Sequence, residues 1–210
     1  MLFRSLQGHE VTALDLNIEL FNQVKHTKFI ELQNNYLFNH NDECERILTE
    51  FISQSLSIDF IKKFDWVLVS CFSDQGYPLT EMILRYCKNN SSAKIVVGGP
   101  GITSKSDYLV QNKFVDYCTC GEGEIALKEL FQGNDQYPGI NGVPPIQIED
   151  IENLPLPNYD FFNLDDYDWL LDKPDIFIYG SRGCVRKCTF CDVVGYWPKF
   201  RWRDRKSTRL

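Results

Sequence analysis

Histidine is scarce in this chain. Only His9, His26 and His40 occur among 210 residues, and neither Cys nor His follows Cys191. A four-ligand zinc site built around the last cysteines would therefore need a residue from far upstream, against the paired local spacings such sites prefer. Long apolar runs are also lacking, and none approaches the ~18 residues of a membrane span. The N-terminus, Met1-Leu-Phe-Arg-Ser-Leu-Gln-Gly8, has neither the apolar core nor the cleavage site of a signal peptide. Basic charge is in deficit: the net charge of −7 argues against a nucleic-acid surface as the main business of this segment. No internal repeat or low-complexity tract occurs. What remains is an ordinary globular composition with ample chain for a packed core. Eight cysteines without export signals suit a reducing compartment, so a cytoplasmic location is expected and no membrane partner is.

Those cysteines are unevenly spread. Cys184, Cys188 and Cys191 fall within eight residues, spaced Cys-x3-Cys-x2-Cys, directly after the apolar run Ile176-Phe-Ile-Tyr179. Thiolates are soft ligands, and such a cluster after a short strand reads as a metal site on a loop at the strand's C-terminal end. A cubane of four irons held by three protein ligands leaves one iron open to an exogenous molecule. A disulfide framework fits poorly in a chain this long. The rival is a non-catalytic binding module whose cysteine cluster holds zinc. Cys44, Cys71, Cys87, Cys118 and Cys120 read as buried or incidental thiols. Cys118 and Cys120 are expected to point to opposite faces of a strand rather than to form a second metal site.

Taken in order, Leu2, Phe3, Leu6 and Gly8 read as the tail of a helix and its cap. The strand that should open an α/β domain is therefore expected to be missing. Residues 9–16 alternate and predict a strand. The pattern blurs over 18–41. Across 42–64, Cys44, Ile47, Leu48, Phe51, Ile52 and Leu56 recur at helical spacing, with Asn41 or Asp42 as cap. Residues 65–71 form a continuous apolar run typical of a buried parallel strand. Pro78 then opens a helix to about Lys88. A second strand over 94–98 breaks into Gly98-Gly99-Pro100-Gly101. A helix over 107–113 with Thr103 or Ser104 as cap, a strand over 114–118 and a helix over 125–131 follow. This alternation argues a parallel sheet with right-handed crossovers. Ligands bind outside the C-terminal strand ends of such sheets, here the loops 70–77, 98–103 and 120–124. Between Gln132 and Asp175 six prolines mark a linker with local order, within which Trp169, Leu170 and Leu171 are expected to pack onto one domain. After Asp192 the chain runs through Arg201 and Arg203 into a basic tail without apolar pattern.

The cysteine spacing resembles that of the radical S-adenosylmethionine superfamily. The resemblance implies that Cys184, Cys188 and Cys191 hold a 4Fe-4S cluster, with S-adenosylmethionine chelating the open iron through its amino and carboxylate groups. Phe190, just before the third cysteine, would lie near the adenine. The implied chemistry is one-electron reduction of the sulfonium, fed by a reductant such as flavodoxin or ferredoxin. Methionine leaves, and a 5′-deoxyadenosyl radical abstracts a hydrogen atom from substrate.

Gly8-His-Glu-Val11, Val97-Gly-Gly-Pro100 and Gly121-Glu-Gly-Glu124 further resemble the cobalamin-binding-like domain that precedes the radical barrel in a large subgroup. Leu154-Pro-Leu-Pro-Asn-Tyr159-Asp160-Phe161 is similar to the linker between the two. The likeness covers residues 8–203. It implies a Rossmann/flavodoxin-like α/β domain over 1–135, a linker over 136–174 and the start of a partial TIM-type (β/α)6 barrel over 175–210. On it, Gly98, Gly99, Gly121 and Glu122 are cofactor-binding positions and cobalamin is a candidate cofactor. The Asp-x-His-x-x-Gly motif whose histidine ligates cobalt is absent. Bland roles stay open: the glycines can serve tight turns, and the glutamates can favour a helix N-terminus. With cobalamin the implied reaction is methyl transfer; without it, ring rearrangement, cyclisation or methylthiolation. Most of the barrel is expected to be missing, and the chain alone is expected to be inactive.

Overall fold

The computed structural model describes residues 8–39, 42–167, 179–191 and 193–203. The expectations for residues 1–7, 169–171, the strand up to 178 and the tail from 204 lie outside them. In chain order the elements are α1 (Leu16–Asn39), α2 (Asp42–Ser55), α3 (Ile58–Ile61), β1 (Trp66–Ser70), α4 (Tyr77–Asn90), β2 (Lys94–Gly98), α5 (Ser106–Gln111), β3 (Tyr117–Thr119), α6 (Gly123–Phe131), β4 (Ser181–Arg182), α7 (Val193–Tyr196) and β5 (Arg201–Trp202).

The apolar runs become a parallel sheet in the order β1-β2-β3, with Val67 opposite Ile95 and Val97 opposite Cys118. Successive side chains of a strand point to opposite faces. Ile95 and Val97 therefore join a core with Leu48, Phe51 and Ile52 of α2, Leu84 and Cys87 of α4 and Leu109 of α5. Val96 joins Ala126 and Leu130 of α6, with Ile140, on the other side. A central strand buried on both faces is what the continuous apolar run at 94–98 requires. The result is an α/β domain with a helix-flanked parallel sheet, consistent with the flavodoxin-like expectation.

Two pins set the sheet. Asp116 accepts from the Ile95 amide (2.7 Å) and from Lys88 Nζ (2.6 Å), tying the start of β2 to α4. Beyond α6 the chain doubles back at Asn141 (φ 47°) and lays Ile140 against Thr119 in an antiparallel bridge. Asn141 Oδ1 accepts from the Cys118 amide (2.8 Å), and its own amide donates to the Cys118 carbonyl (2.9 Å). The outer edge of β3 is thus occupied by the chain itself.

Several expectations change. Residues 9–15 pair with no strand; the His9 ring packs on Phe131 at 5.3 Å. Asp15 instead caps α1, its Oδ1 accepting from the Asn17 and Ile18 amides at 3.0 and 3.2 Å. The blurred stretch becomes the 24-residue α1, anchored by buried Leu20 and Leu32. The helix expected over 42–64 breaks where Ser57 is extended (ψ 148°), leaving α2 and the short α3. A 3-10 turn, Pro100–Lys105, precedes α5 where a capped helix was expected, and no side chain caps either. The third strand lies at Tyr117–Thr119, later than expected, because residues 112–116 close α5 with backbone turns and place Asp116 on β2.

Candidate metal centre

The cysteine loop is the tip of a hairpin. β4 and β5 pair antiparallel, Ser181 with Trp202 and Arg182 with Arg201, and the Arg203 amide donates to the Gly180 carbonyl at 2.9 Å. Gly183 (φ 84°) opens the loop where a Cβ would stand 2.4 Å from the Lys199 carbonyl oxygen, so the two sides meet there at backbone distance. Cys184 and Cys188 are exposed and Cys191 half-buried, all as free thiols. The Cys191 amide donates to the Cys188 carbonyl (3.2 Å), closing a turn. The Arg186 amide donates to Cys184 Sγ (3.4 Å). Phe190 is 88% exposed beside Cys191.

Among the described residues no three His, Cys, Asp or Glu side chains are gathered closely enough to hold a metal. The donor set nonetheless fits an iron–sulfur group in kind. It offers three soft thiols within one short loop, with a backbone N–H already directed at one sulfur, the sort of bond that tunes such clusters.

The hairpin is fixed to the turn between β3 and α6 by buried charge. The turn after β3 carries Glu122 and Glu124 into α6. Arg182 Nη1 donates to Glu122 Oε1 and Arg201 Nη1 to Glu122 Oε2, each at 2.7 Å, while the other arm of Arg182 reaches Glu124. The Ile148 amide donates to Glu122 as well (2.7 Å), and Arg201 donates to the Ile148 carbonyl. Side-chain exposure is only 3% for Glu122, 6% for Glu124, 13% for Arg182 and 7% for Arg201, so this is interior electrostatics. Burial by itself pushes the Glu122 pKa up, but the bonds from Arg201, Arg182 and Ile148 outweigh it and hold the carboxyl below its ordinary range. On the far side of the cysteines, Tyr196 of α7 donates to the Pro100 carbonyl (3.3 Å), bringing the loop over the glycine-rich turn after β2.

The glycines expected to approach a cofactor approach this chain's own atoms. A Cβ on Gly98 would lie 2.4 Å from Thr119 Oγ1, one on Gly99 (φ 105°) 2.3 Å from the Cys71 carbonyl oxygen, and one on Gly121 2.7 Å from Pro145 Cβ. All three stand at the carboxyl edge of the sheet, each approached closely by this chain's own atoms. Glu122 is engaged by the two arginines. Arg182 was not singled out by the sequence. No local signal marks it, because its carboxylate partners lie 58 and 60 residues away in the sequence.

Cys44, Cys71, Cys87 and Cys118 are buried and Cys120 is half-buried, all within the sheet domain. Burial pushes the Cys87 thiol up to about 11 and that of Cys118 up to about 12. Cys118 and Cys120 do not face apart as expected. Residues two apart on an extended chain share a face, and both meet the same core: Cys118 is buried in it, its Sγ 3.6 Å from the Ser106 carbonyl oxygen, and Cys120 packs against it.

No helix among the described residues is long and apolar enough to cross a membrane. No family model matches the chain, and no solved structure does. Three curated proteins are similar. An uncharacterized methyltransferase of Synechocystis is 30% identical over 133 residues, 63% of this chain and 24% of the relative. One from Pyrococcus horikoshii is 26% identical over 185 residues, 78% of this chain and 39% of the relative. The anaerobic magnesium-protoporphyrin IX monomethyl ester cyclase of Synechocystis is 28% identical over 115 residues, 48% of this chain and 23% of the relative. The chain thus spans between about a quarter and two-fifths of the length of these relatives, all of which carry the names of enzymes.

Proposed function

We propose that this chain is part of a radical S-adenosylmethionine enzyme in which Cys184, Cys188 and Cys191 hold a 4Fe-4S cluster. The observation that carries the reading is the hairpin tip: three free thiols within eight residues, no histidine among them, and an amide already donating to Cys184. Held by Cys184, Cys188 and Cys191, such a cluster would supply the one-electron reduction of S-adenosylmethionine that radical chemistry needs. The chain's own residues do the holding. The N–H of Arg186 stabilises charge on the Cys184 sulfur, and the exposed ring of Phe190 offers a face for the adenine. A flavodoxin or ferredoxin is the class of donor that would deliver the electron.

Methyl transfer is the outcome we favour, with cobalamin bound at the carboxyl edge of the sheet, where open parallel sheets take their ligands. Two similar proteins bear the name methyltransferase, and the post-cysteine turn rests through Tyr196 on that same edge.

Anaerobic reconstitution with iron and sulfide tests the reading, followed by EPR of the reduced protein with and without S-adenosylmethionine. The control is a Cys184→Ala/Cys188→Ala/Cys191→Ala variant. A signal that shifts with S-adenosylmethionine and vanishes in the variant is the expected result. Stoichiometric zinc with no cluster under any condition would overturn it in favour of a binding module.

A further inference from the structure

The hairpin that carries the cysteines has little to hold it shut. Its ladder is two residues long on each side, too short to be stable by itself. Arg182 and Arg201 are direct cross-strand partners, one on either side of the stem. Their guanidiniums converge on one carboxylate, Arg182 on Oε1 of Glu122 and Arg201 on Oε2. A single side chain of the sheet domain therefore grips both sides of the stem, and all three cysteines lie between the gripped positions. Glu124 takes the second arm of Arg182, so two carboxylates balance two guanidiniums in a nearly dry setting. Removing one charge from such a group strands its partners without water to replace it.

We propose that Glu122 is a positioning residue for the cysteine loop: it brackets the hairpin stem and so fixes the loop against the carboxyl edge of the sheet. It acts through Arg182 and Arg201 and touches no ligand sulfur. The proposal rests on the reading of the loop as an iron–sulfur site. It also gives the Gly121-Glu-Gly-Glu124 turn a task in the second half of the chain.

The test compares the chain with Glu122→Gln, and with Glu124→Gln, which keeps Glu122 and loses one contact of Arg182. Limited trypsin digestion of the metal-free protein reads cleavage after Arg186 and Lys187 in the loop. Cleavage after Lys62 and Lys63, exposed between α3 and β1, serves as reference. Glu122→Gln is expected to speed loop cleavage roughly tenfold with the reference sites unchanged, because a local opening becomes easier while the domain stays folded. Glu124→Gln is expected to show a smaller rise, and it decides the matter if Glu122→Gln fails to fold. After reconstitution, the reduced Glu122→Gln protein is expected to give shifted EPR g values at unchanged iron content. Cleavage that rises equally at both places, or not at all in the loop, would overturn the bracket. If the unsubstituted chain takes up no iron, the iron–sulfur reading falls while the digestion still decides the bracket. A wild-type cluster with an identical EPR signal in Glu122→Gln would sink the bracket and leave that reading standing.

Discussion

Tyr167 donates its hydroxyl to Asp15 Oδ2 at 2.9 Å across a separation of 152 residues. The other oxygen of the same carboxylate caps α1. Asp15→Ala removes the two cap bonds and the tyrosine bond and should cost about 1–2 kcal/mol, the range of a lost N-cap. Tyr167→Phe removes one and should cost about 1 kcal/mol. Urea denaturation of the two variants and their double checks this; beyond Asp15→Ala, the added Tyr167→Phe should have almost no effect.

Arg201→Met leaves Glu122 buried with one guanidinium instead of two. Breaking a buried pair costs about 3–5 kcal/mol, and the remaining bonds from Arg182 and the Ile148 amide place this case near the low end. A fall in denaturant midpoint equivalent to about 3 kcal/mol is expected. Arg201→Lys, which keeps charge but not the fork, should recover only part of it.

The same carboxylate sets an acid limit. Its folded pKa is lowered below the ordinary glutamate value of 4.5 despite burial, so its contribution to stability is complete above that pH and is lost as pH falls through the folded pKa. A denaturant midpoint followed from neutrality into acid should stay flat on this account and then fall. In Glu122→Gln the fall should be shallower and start from a lower plateau.

Gly99 and Gly133 both have positive φ, 105° and 90°, but differ in their surroundings. Alanine at Gly99 would drive a Cβ into the Cys71 carbonyl, whereas nothing lies within 4 Å of one at Gly133. Gly133→Ala should therefore cost about 1 kcal/mol from backbone conformation alone. Gly99→Ala should cost more than about 2 kcal/mol. Thermal melts of both variants separate the crowding from the dihedral.

The cysteines divide in a way that iron uptake can read. Cys188→Ser should cut reconstituted iron to roughly a tenth or less, since a hard hydroxyl replaces a soft ligand. Cys87→Ala should leave it unchanged, because burial keeps that thiol protonated at neutral pH with its pKa up to about 11. Iron and sulfide assays on the two variants distinguish ligand from core thiol.

How much of this the sequence disclosed depended on the range of the interactions. β1, α4 and β2 were legible because an uninterrupted apolar run and a proline at a helix start are local signals. The three cysteines were legible because a ligand set on one loop is written contiguously. α1 was not, since its described buried leucines, Leu20 and Leu32, stand three turns apart among Asn and Gln. The alternation of residues 9–16 was read as a strand because nothing local says that Asp15 faces Tyr167. The bracket was invisible for the same reason: Glu122 meets Arg182 and Arg201 only once 60 and 79 residues have been folded between them.

The return of the chain at Ile140 and Asn141 bears on how the protein behaves when crowded. A bare strand edge is a template on which further copies can polymerise. At β3 the template is already used, since Cys118 and Cys120 spend their outward bonds on the chain's own next segment, on either side of the Thr119–Ile140 bridge. A neighbouring molecule could add there only by first peeling residues 139–141 away, which would also expose Ile140 from its fully buried place beside Val96. Concentrated samples should therefore not form fibrils through this side of the sheet while the domain stays folded.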